Sequence, residues 1–107
     1  MPDRLGGFEE LVLLAAAGLK GEGYGVTIQE QLEARMGQAV SVGAVYAALD
    51  RLQRKGFVRS RVGGATKERG GRRRRFFEAT APGLRALRDM RTIRARFWQA
   101  VEAPAAP

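Results

Sequence analysis

Four consecutive arginines, Arg72 to Arg75, are the side chains in this sequence best suited to chemistry with another molecule. A guanidinium group stays charged at physiological pH and binds phosphate oxygens through a planar fork of N–H donors. The chain contains no His and no Cys. These absences exclude His-based catalytic triads, thiolate nucleophiles and zinc sites built on Cys or His. The sequence therefore predicts a binding protein without a metal or cofactor rather than an enzyme.

The positive charge is concentrated in one region of the chain. Between Arg51 and Arg75 there are eleven basic residues and one acidic residue, a net charge of +10, whereas the whole chain carries +8. Such an uneven distribution is typical of a surface that binds nucleic acid. The longest unbroken apolar run, Leu11–Ala17, is far shorter than the ~18 residues of a membrane helix. The N-terminus also lacks the pattern of a signal peptide, so we expect a cytoplasmic protein without a membrane segment.

The elements that must position these charges begin with a predicted helix from Glu9 to Leu19. Apolar side chains occupy nearly all of its faces, which predicts a central, buried position. A group of glycines predicts its end and a turn, namely Gly18, Gly21, Gly23 and Gly25. Thr27 and Glu30 have the spacing of a capping box, which predicts a second helix that begins at Thr27 and closes at Gly37.

A third helix is predicted from Ser41, a favoured N-cap residue, to Lys55. The short turn between the second and third helices is typical of a helix-turn-helix. Two predicted strands follow, residues 57–62 and 72–79, joined by a basic loop bounded by glycines. The fold class is therefore α+β and mostly α, a winged helix-turn-helix within residues 1–80.

The last predicted helix occupies residues 81–103, capped by Thr80 with Pro82 in its first turn, and residues 104–107 form a tail. Apolar side chains recur along it at helical spacing: Leu84, Leu87, Met90, Ile93, Phe97, Trp98 and Val101. A helix that extends past so small a domain has too little of its own chain to cover this stripe, which favours a homodimer. The alternative is that the stripe folds back onto the first helix.

The order and spacing of several motifs resemble those of PadR-type bacterial transcriptional regulators, in the short form with one C-terminal helix. The resemblance covers about residues 5–101 and includes Tyr24-Gly25-x-x-Ile28 and Arg75-Phe76-Phe77-x-x-Thr80-x-x-Gly83. Between these motifs the chain reads Ser41-x-Gly43-x-x-Tyr46-x-Ala48-Leu49-x-x-Leu52-x-x-x-Gly56-Phe57-Val58. The chain departs from the family pattern at Val26, at Ala47 and at Phe76-Phe77.

The resemblance implies a homodimer that binds double-stranded DNA at an inverted-repeat operator, acts on the bacterial nucleoid and represses transcription. It also implies a C-terminal dimerisation helix and release from DNA by a small aromatic effector. The residues expected to contact DNA in the helix-turn-helix are Thr27, Ser41, Val42, Gly43, Ala44, Tyr46, Ala47 and Arg51. The residues expected to do so in the wing are Lys67, Arg69, Arg72, Arg73, Arg74 and Arg75.

Each of these assignments has a plainer alternative in the sequence. Tyr46 either contacts DNA or packs against the core, and Arg51 either contacts a phosphate or stabilises the C-terminal end of its helix. The wing arginines either bind DNA or form a solvated charged surface. Trp98 either stacks on an aromatic effector at the dimer interface or only packs there. For the whole chain, the alternative function is nucleic-acid binding without sequence preference.

Overall fold

A computed structural model describes residues 5–63 and 74–105 of the chain. The described residues form four α-helices and three β-strands. In chain order these are α1 (Gly7–Gly18), β1 (Gly23–Tyr24), α2 (Gly25–Met36), α3 (Val42–Arg54), β2 (Val58–Val62), β3 (Arg75–Ala79) and α4 (Ala81–Glu102). The α2–α3 pair followed by the β2–β3 hairpin confirms the predicted winged helix-turn-helix. None of the described helices combines the length and the apolar character needed to cross a membrane.

The three strands form an antiparallel sheet in the order β1-β3-β2. In the β2–β3 hairpin, Val58 lies opposite Ala79 and Val62 lies opposite Arg75. The glycine-rich segment after α1, which the sequence analysis assigned to a turn, also supplies the short strand β1, whose Tyr24 lies opposite Phe76. A strand of two residues is too short to show hydrophobic alternation in the sequence. It is recognised as a strand only through its pairing with β3.

The core surrounds α1, from which Val12, Leu13 and Ala16 are fully buried. Side chains from the other elements pack against these residues: Ile28, Leu32, Val45, Leu49, Leu52, Val58 and Phe77. The expectation that α1 is buried on nearly all sides is wrong at Leu11 and Leu14, both of which are exposed. The other three helices and the sheet lie against the remaining faces of α1, and within residues 5–63 and 74–105 the face with Leu11 and Leu14 stays accessible.

The helix starts follow from local hydrogen bonds. Ser41 caps α3, because its Oγ accepts from the Ala44 N–H at 3.0 Å. Thr80 caps α4 in the same way, with its Oγ1 3.1 Å from the Gly83 nitrogen. The predicted capping box at Thr27 is wrong, because α2 already begins at Gly25.

The N-terminal half of α4 packs against the protein's own core. A β-carbon at Gly83 would lie 2.2 Å from the Phe57 carbonyl oxygen, so only glycine allows the helix to approach this closely. Leu87 is buried in the core, with Leu84 and Met90 packed around it. These three apolar residues therefore pack at least in part against the protein's own core, as the alternative expected, and their place in a dimer interface stays a prediction.

Candidate nucleic-acid interface

The angle between α2 and α3 is fixed by two side chains of α2. Gln29 Nε2 donates to the Val40 carbonyl at 2.7 Å, and Glu33 Oε2 accepts from the Val40 N–H at 2.9 Å. Both backbone groups of Val40, in the middle of the turn, are thereby satisfied. Gly37 ends α2 with a positive φ of 71°, which glycine adopts without strain. The conformation of the turn is consequently fixed by hydrogen bonds to its backbone and not only by its short length.

One face of α3 is buried and the other is exposed. The buried face consists of Val45, Ala48, Leu49 and Leu52. The exposed positions in its first two turns and cap coincide with the predicted recognition residues Ser41, Val42, Gly43, Ala44, Tyr46 and Ala47. The structure therefore brings all six together on one accessible surface, which is the geometry required to enter a groove.

Tyr46 packs in part against α2 and is otherwise exposed. Its ring reaches across to the start of α2, where a β-carbon on Gly25 would lie 2.2 Å from Tyr46 Cζ and Oη. The side chain nevertheless stays 45% exposed. Within residues 5–63 and 74–105 its hydroxyl has no hydrogen-bond partner. Tyr46 is thus positioned by α2 and still accessible, and its contact with DNA stays a prediction.

Thr27 has a structural partner at the start of α2. Its Oγ1 accepts from the Tyr24 N–H at 3.0 Å and donates to the Tyr24 carbonyl at 3.1 Å. The single hydroxyl proton is therefore used inside the protein. For a DNA contact, which stays a prediction, only the remaining acceptor capacity of the oxygen is available.

The C-terminal end of α3 is tied to α1 by a buried carboxylate. Glu9 is 6% exposed and accepts from Arg51 Nε at 2.8 Å and from Lys55 Nζ at 2.7 Å. Burial by itself raises the pKa of Glu9, but hydrogen bonds from Lys55, the Gly6 N–H and Arg51 outweigh it and lower that pKa to about 2. Arg51 consequently has a structural role, and its predicted DNA contact would use the exposed part of its guanidinium.

The wing is the β2–β3 hairpin, and Arg74 and Arg75 are the first residues described after its loop. Each of the two arginines contacts a defined group. The Arg74 guanidinium lies 4.5 Å from the centroid of the Tyr24 ring. Arg75 instead donates to Ser60 Oγ at 3.0 Å and to Gln53 Oε1 at 3.1 Å, which joins the wing to α3. These neighbouring arginines therefore contact different groups. The other predicted wing contacts, Lys67, Arg69, Arg72 and Arg73, lie outside the described residues.

The C-terminal half of α4 leaves the core. Arg94 pairs with the nearly buried Glu10 at 2.5 Å, and this ion pair is the last described hydrogen-bonded link between α4 and α1. Ile93 is half-buried. Beyond it Phe97, Trp98 and Val101 are 72%, 59% and 71% exposed. Such a cluster of large apolar side chains is typical of a surface that a partner covers.

The sequence was compared with models of protein families. The model described as the Transcriptional regulator PadR-like family matches residues 13–89, well over half of the chain. The chain belongs to this family. Its members are transcriptional regulators, which agrees with the prediction that this PadR-like chain is not an enzyme. Among curated proteins, no sequence matches the chain.

Solved structures support the same fold for the PadR-like chain. A PadR-like transcription factor from Bacteroides fragilis aligns with a TM-score of 0.73 at 19% identity, covering 88% of this chain and 85% of that one. A PadR family regulator from Clostridium difficile R20291 gives 0.69 at 25% identity, with 89% and 94% covered. Bacillus subtilis PadR in complex with operator DNA gives 0.66 at 17% identity, with 94% and 50% covered.

The sequence analysis did not identify the side chains that fix α3 in position. Gln29 and Glu33 fix the turn, and Glu9 fixes the far end of α3. All three are polar residues within predicted helices, where the plain interpretation is a solvated face. The available signal was the pair Glu9-Glu10 at the start of a helix that is otherwise mostly apolar.

Proposed function

We propose that this PadR-like chain is a homodimeric, sequence-specific DNA-binding repressor that acts on an inverted-repeat operator in the bacterial cytoplasm. The observation that carries the proposal is the exposed surface of α3. Its six predicted recognition residues are accessible, while the opposite face of the helix is anchored in the core. In a helix-turn-helix this is the arrangement that lets the second helix enter the major groove.

The charge distribution supports contact with the DNA backbone. Arg75 is the first residue of β3 and Arg74 immediately precedes it, so both lie at the end of the hairpin next to the basic loop. Arg74 is stacked on Tyr24, which restricts the guanidinium without neutralising it. The wing is positive, whereas the first two turns of α3 carry no charged side chain. This arrangement suits phosphate contacts by the wing, which give affinity, and base contacts by α3, which give specificity.

The free end of α4 supports the homodimer. Phe97, Trp98 and Val101 lie beyond the Arg94–Glu10 ion pair, where the described part of the chain leaves them largely exposed. We assign the dimer interface to this end of α4, together with Ile93. Leu84, Leu87 and Met90 support the interface by fixing the start of α4 against the core. A two-fold dimer doubles the basic surface and sets two recognition helices about one DNA turn apart.

The aromatic effector is proposed to bind beside Trp98. This residue and Phe97, together with Arg94 and Val101, line a shallow cavity at the end of α4. Because Trp98 is the only Trp in the chain, its fluorescence reports on this site alone. A flat aromatic probe such as 4-nitrobenzoate should quench that fluorescence and weaken DNA binding. Trp98→Leu should retain the dimer and abolish the effect of the probe on DNA binding, whereas an unchanged effect on DNA binding would contradict the assignment.

The experiment that tests DNA binding is a titration with duplex DNA from upstream of the protein's own gene and with a shuffled duplex, across a salt series. If each subunit neutralises about four phosphates, log K should fall with log salt at a slope of about −7 for the dimer. A sequence-specific regulator should prefer the upstream duplex by about a thousandfold or more.

Two variants make the titration diagnostic. Arg74→Gln should reduce the slope by about one for each subunit, with similar losses on both duplexes. Arg85→Gln removes the same charge from an exposed position of α4 and should leave the slope unchanged. Equal affinity for both duplexes would support the alternative, a nucleic-acid binder without sequence preference. Binding that does not respond to salt would contradict both functions.

A further inference from the structure

The large apolar side chains that α2 and α3 expose form an apolar strip on the proposed DNA-binding surface. The strip consists of Val26, Val42 and Tyr46, which are 45%, 37% and 45% exposed. Val42 and Tyr46 are one turn apart on α3 and so lie on the same face. The end of the Tyr46 ring rests on Gly25, the neighbour of Val26 in α2. Tyr46 therefore meets the first turn of α2, the turn that carries the exposed Val26.

The hydrogen-bonding capacity beside this strip is very low. From Ser41 to Ala47 the only polar side chains are Ser41 and Tyr46. Ser41 Oγ is already engaged in capping α3 through the Ala44 N–H. Within the described residues, that leaves the Tyr46 hydroxyl as the single unengaged polar side-chain group in the first two turns. No Arg, Lys, Asn or Gln is present here to make the bidentate contacts that identify guanine or adenine.

The next exposed turn of α3 does not supply these contacts either. Asp50 and Arg54 are one turn apart and form an ion pair with each other. Arg51, on the flank of the helix, is held by Glu9. Direct readout by α3 therefore depends on shape and apolar contact. The major groove offers one apolar group at its floor, the C5-methyl of thymine, which 5-methylcytosine shares.

We propose that the apolar strip is a 5-methylpyrimidine reader, so that Val26, Val42 and Tyr46 select DNA by the C5-methyl groups in each half-site. Gly25 acts as a positioning residue, since any β-carbon there would push the Tyr46 ring away from α2. This inference rests on the proposed function and adds the chemical group that the protein recognises. Each methyl buried against the strip should strengthen binding about fourfold, the effect expected for one methyl-sized apolar group.

The test uses the full chain and duplexes selected from a random pool by the wild-type protein. Thymidines under the recognition helix are then replaced one at a time by deoxyuridine, which removes only the methyl group. The wild type should lose about fourfold in affinity for each contacted methyl. Returning the group as 5-methylcytosine, in place of cytosine at a position within the same footprint, should strengthen binding by a similar factor.

Isosteric variants connect the effect to the strip. Val26→Thr and Val42→Thr exchange a methyl for a hydroxyl on the surface, so folding is retained, and both should reduce the deoxyuridine penalty towards onefold. Val62→Thr makes the same exchange at another exposed valine, in β2, and should retain the full penalty.

The outcomes separate this inference from the proposed function. If no duplex is enriched from the pool, the sequence-specific function itself is wrong. If a preferred duplex is found but deoxyuridine binds as tightly as thymidine, the regulator stands and the methyl-reading inference is overturned. A full penalty that persists in both strip variants would also overturn it, because the methyl groups would then be read by other residues.

Discussion

Glu9 offers the most direct measurement of what holds the recognition helix in place. The buried carboxylate joins α1 to the C-terminal end of α3 through Arg51 and Lys55. Its pKa falls from 4.5 to about 2 on folding. A depression of this size corresponds to about 3 kcal/mol of stability at neutral pH. Glu9→Gln retains the shape of the side chain and removes the charge, so unfolding should become easier by about 2–3 kcal/mol.

The direction of the pKa shift determines how the stabilising effect of Glu9 depends on pH. Because the pKa of Glu9 is lower in the folded protein, its stabilising effect is complete above about pH 4.5 and is lost as the pH falls towards 2. The free energies of unfolding of the wild type and Glu9→Gln should therefore differ most at neutral pH and converge under acid conditions. A destabilising effect of Glu9→Gln that stays constant between pH 7 and pH 3 would refute the reasoning.

Urea denaturation at one fixed protein concentration is the appropriate assay, since the stability of a dimer depends on concentration. Glu30→Gln makes the same change at an exposed position of α2 and should alter the free energy of unfolding by less than about 0.5 kcal/mol. If both variants lose stability equally, the loss reflects removal of a carboxylate in general and not the link between α1 and α3.

Two further predictions concern backbone approach and the turn. Gly83→Ala places a β-carbon 2.2 Å from the Phe57 carbonyl oxygen, so it should destabilise the fold by about 1–3 kcal/mol in a denaturation assay. Gly43→Ala, whose nearest neighbour would be 3.9 Å away, should instead stabilise α3 by up to about 1 kcal/mol, and the opposite order would contradict this account. Gln29→Leu should cost about 1 kcal/mol by leaving the Val40 carbonyl unpaired, and weaken DNA binding without changing its salt slope.

The features that sequence analysis predicted correctly depend on interactions between residues close in the chain. Ser41 and Thr80 cap their helices through an N–H three residues ahead, so the residue type alone identifies the position. The same reasoning failed at Thr27, which has a capping sequence. There Tyr24 is held extended by pairing with Phe76, and α2 starts earlier, with Thr27 bonded back to Tyr24.

The division of α4 shows where apolar periodicity stops being informative. Leu87 and Val101 belong to the same predicted stripe, yet Leu87 is buried in the core and Val101 is exposed. The spacing predicts which residues share a face but not what that face meets. The direction of α4 is determined by the close contact of Gly83 with Phe57 and by the ion pair between Arg94 and Glu10.

The sequence by itself determined the winged helix-turn-helix, the residues that α3 exposes and the basic character of the wing. These follow from periodicity, caps and local charge, all of which act over a few residues. Only the tertiary structure decided that Tyr46 leans on Gly25 and that Glu9 holds Arg51 and Lys55. Glu9 and its partners are 42 and 46 residues apart in the chain, and packing of α1 against α3 is what brings the three charges together. Burial then makes that contact strong, because a desolvated carboxylate gains more from each hydrogen bond than an exposed one.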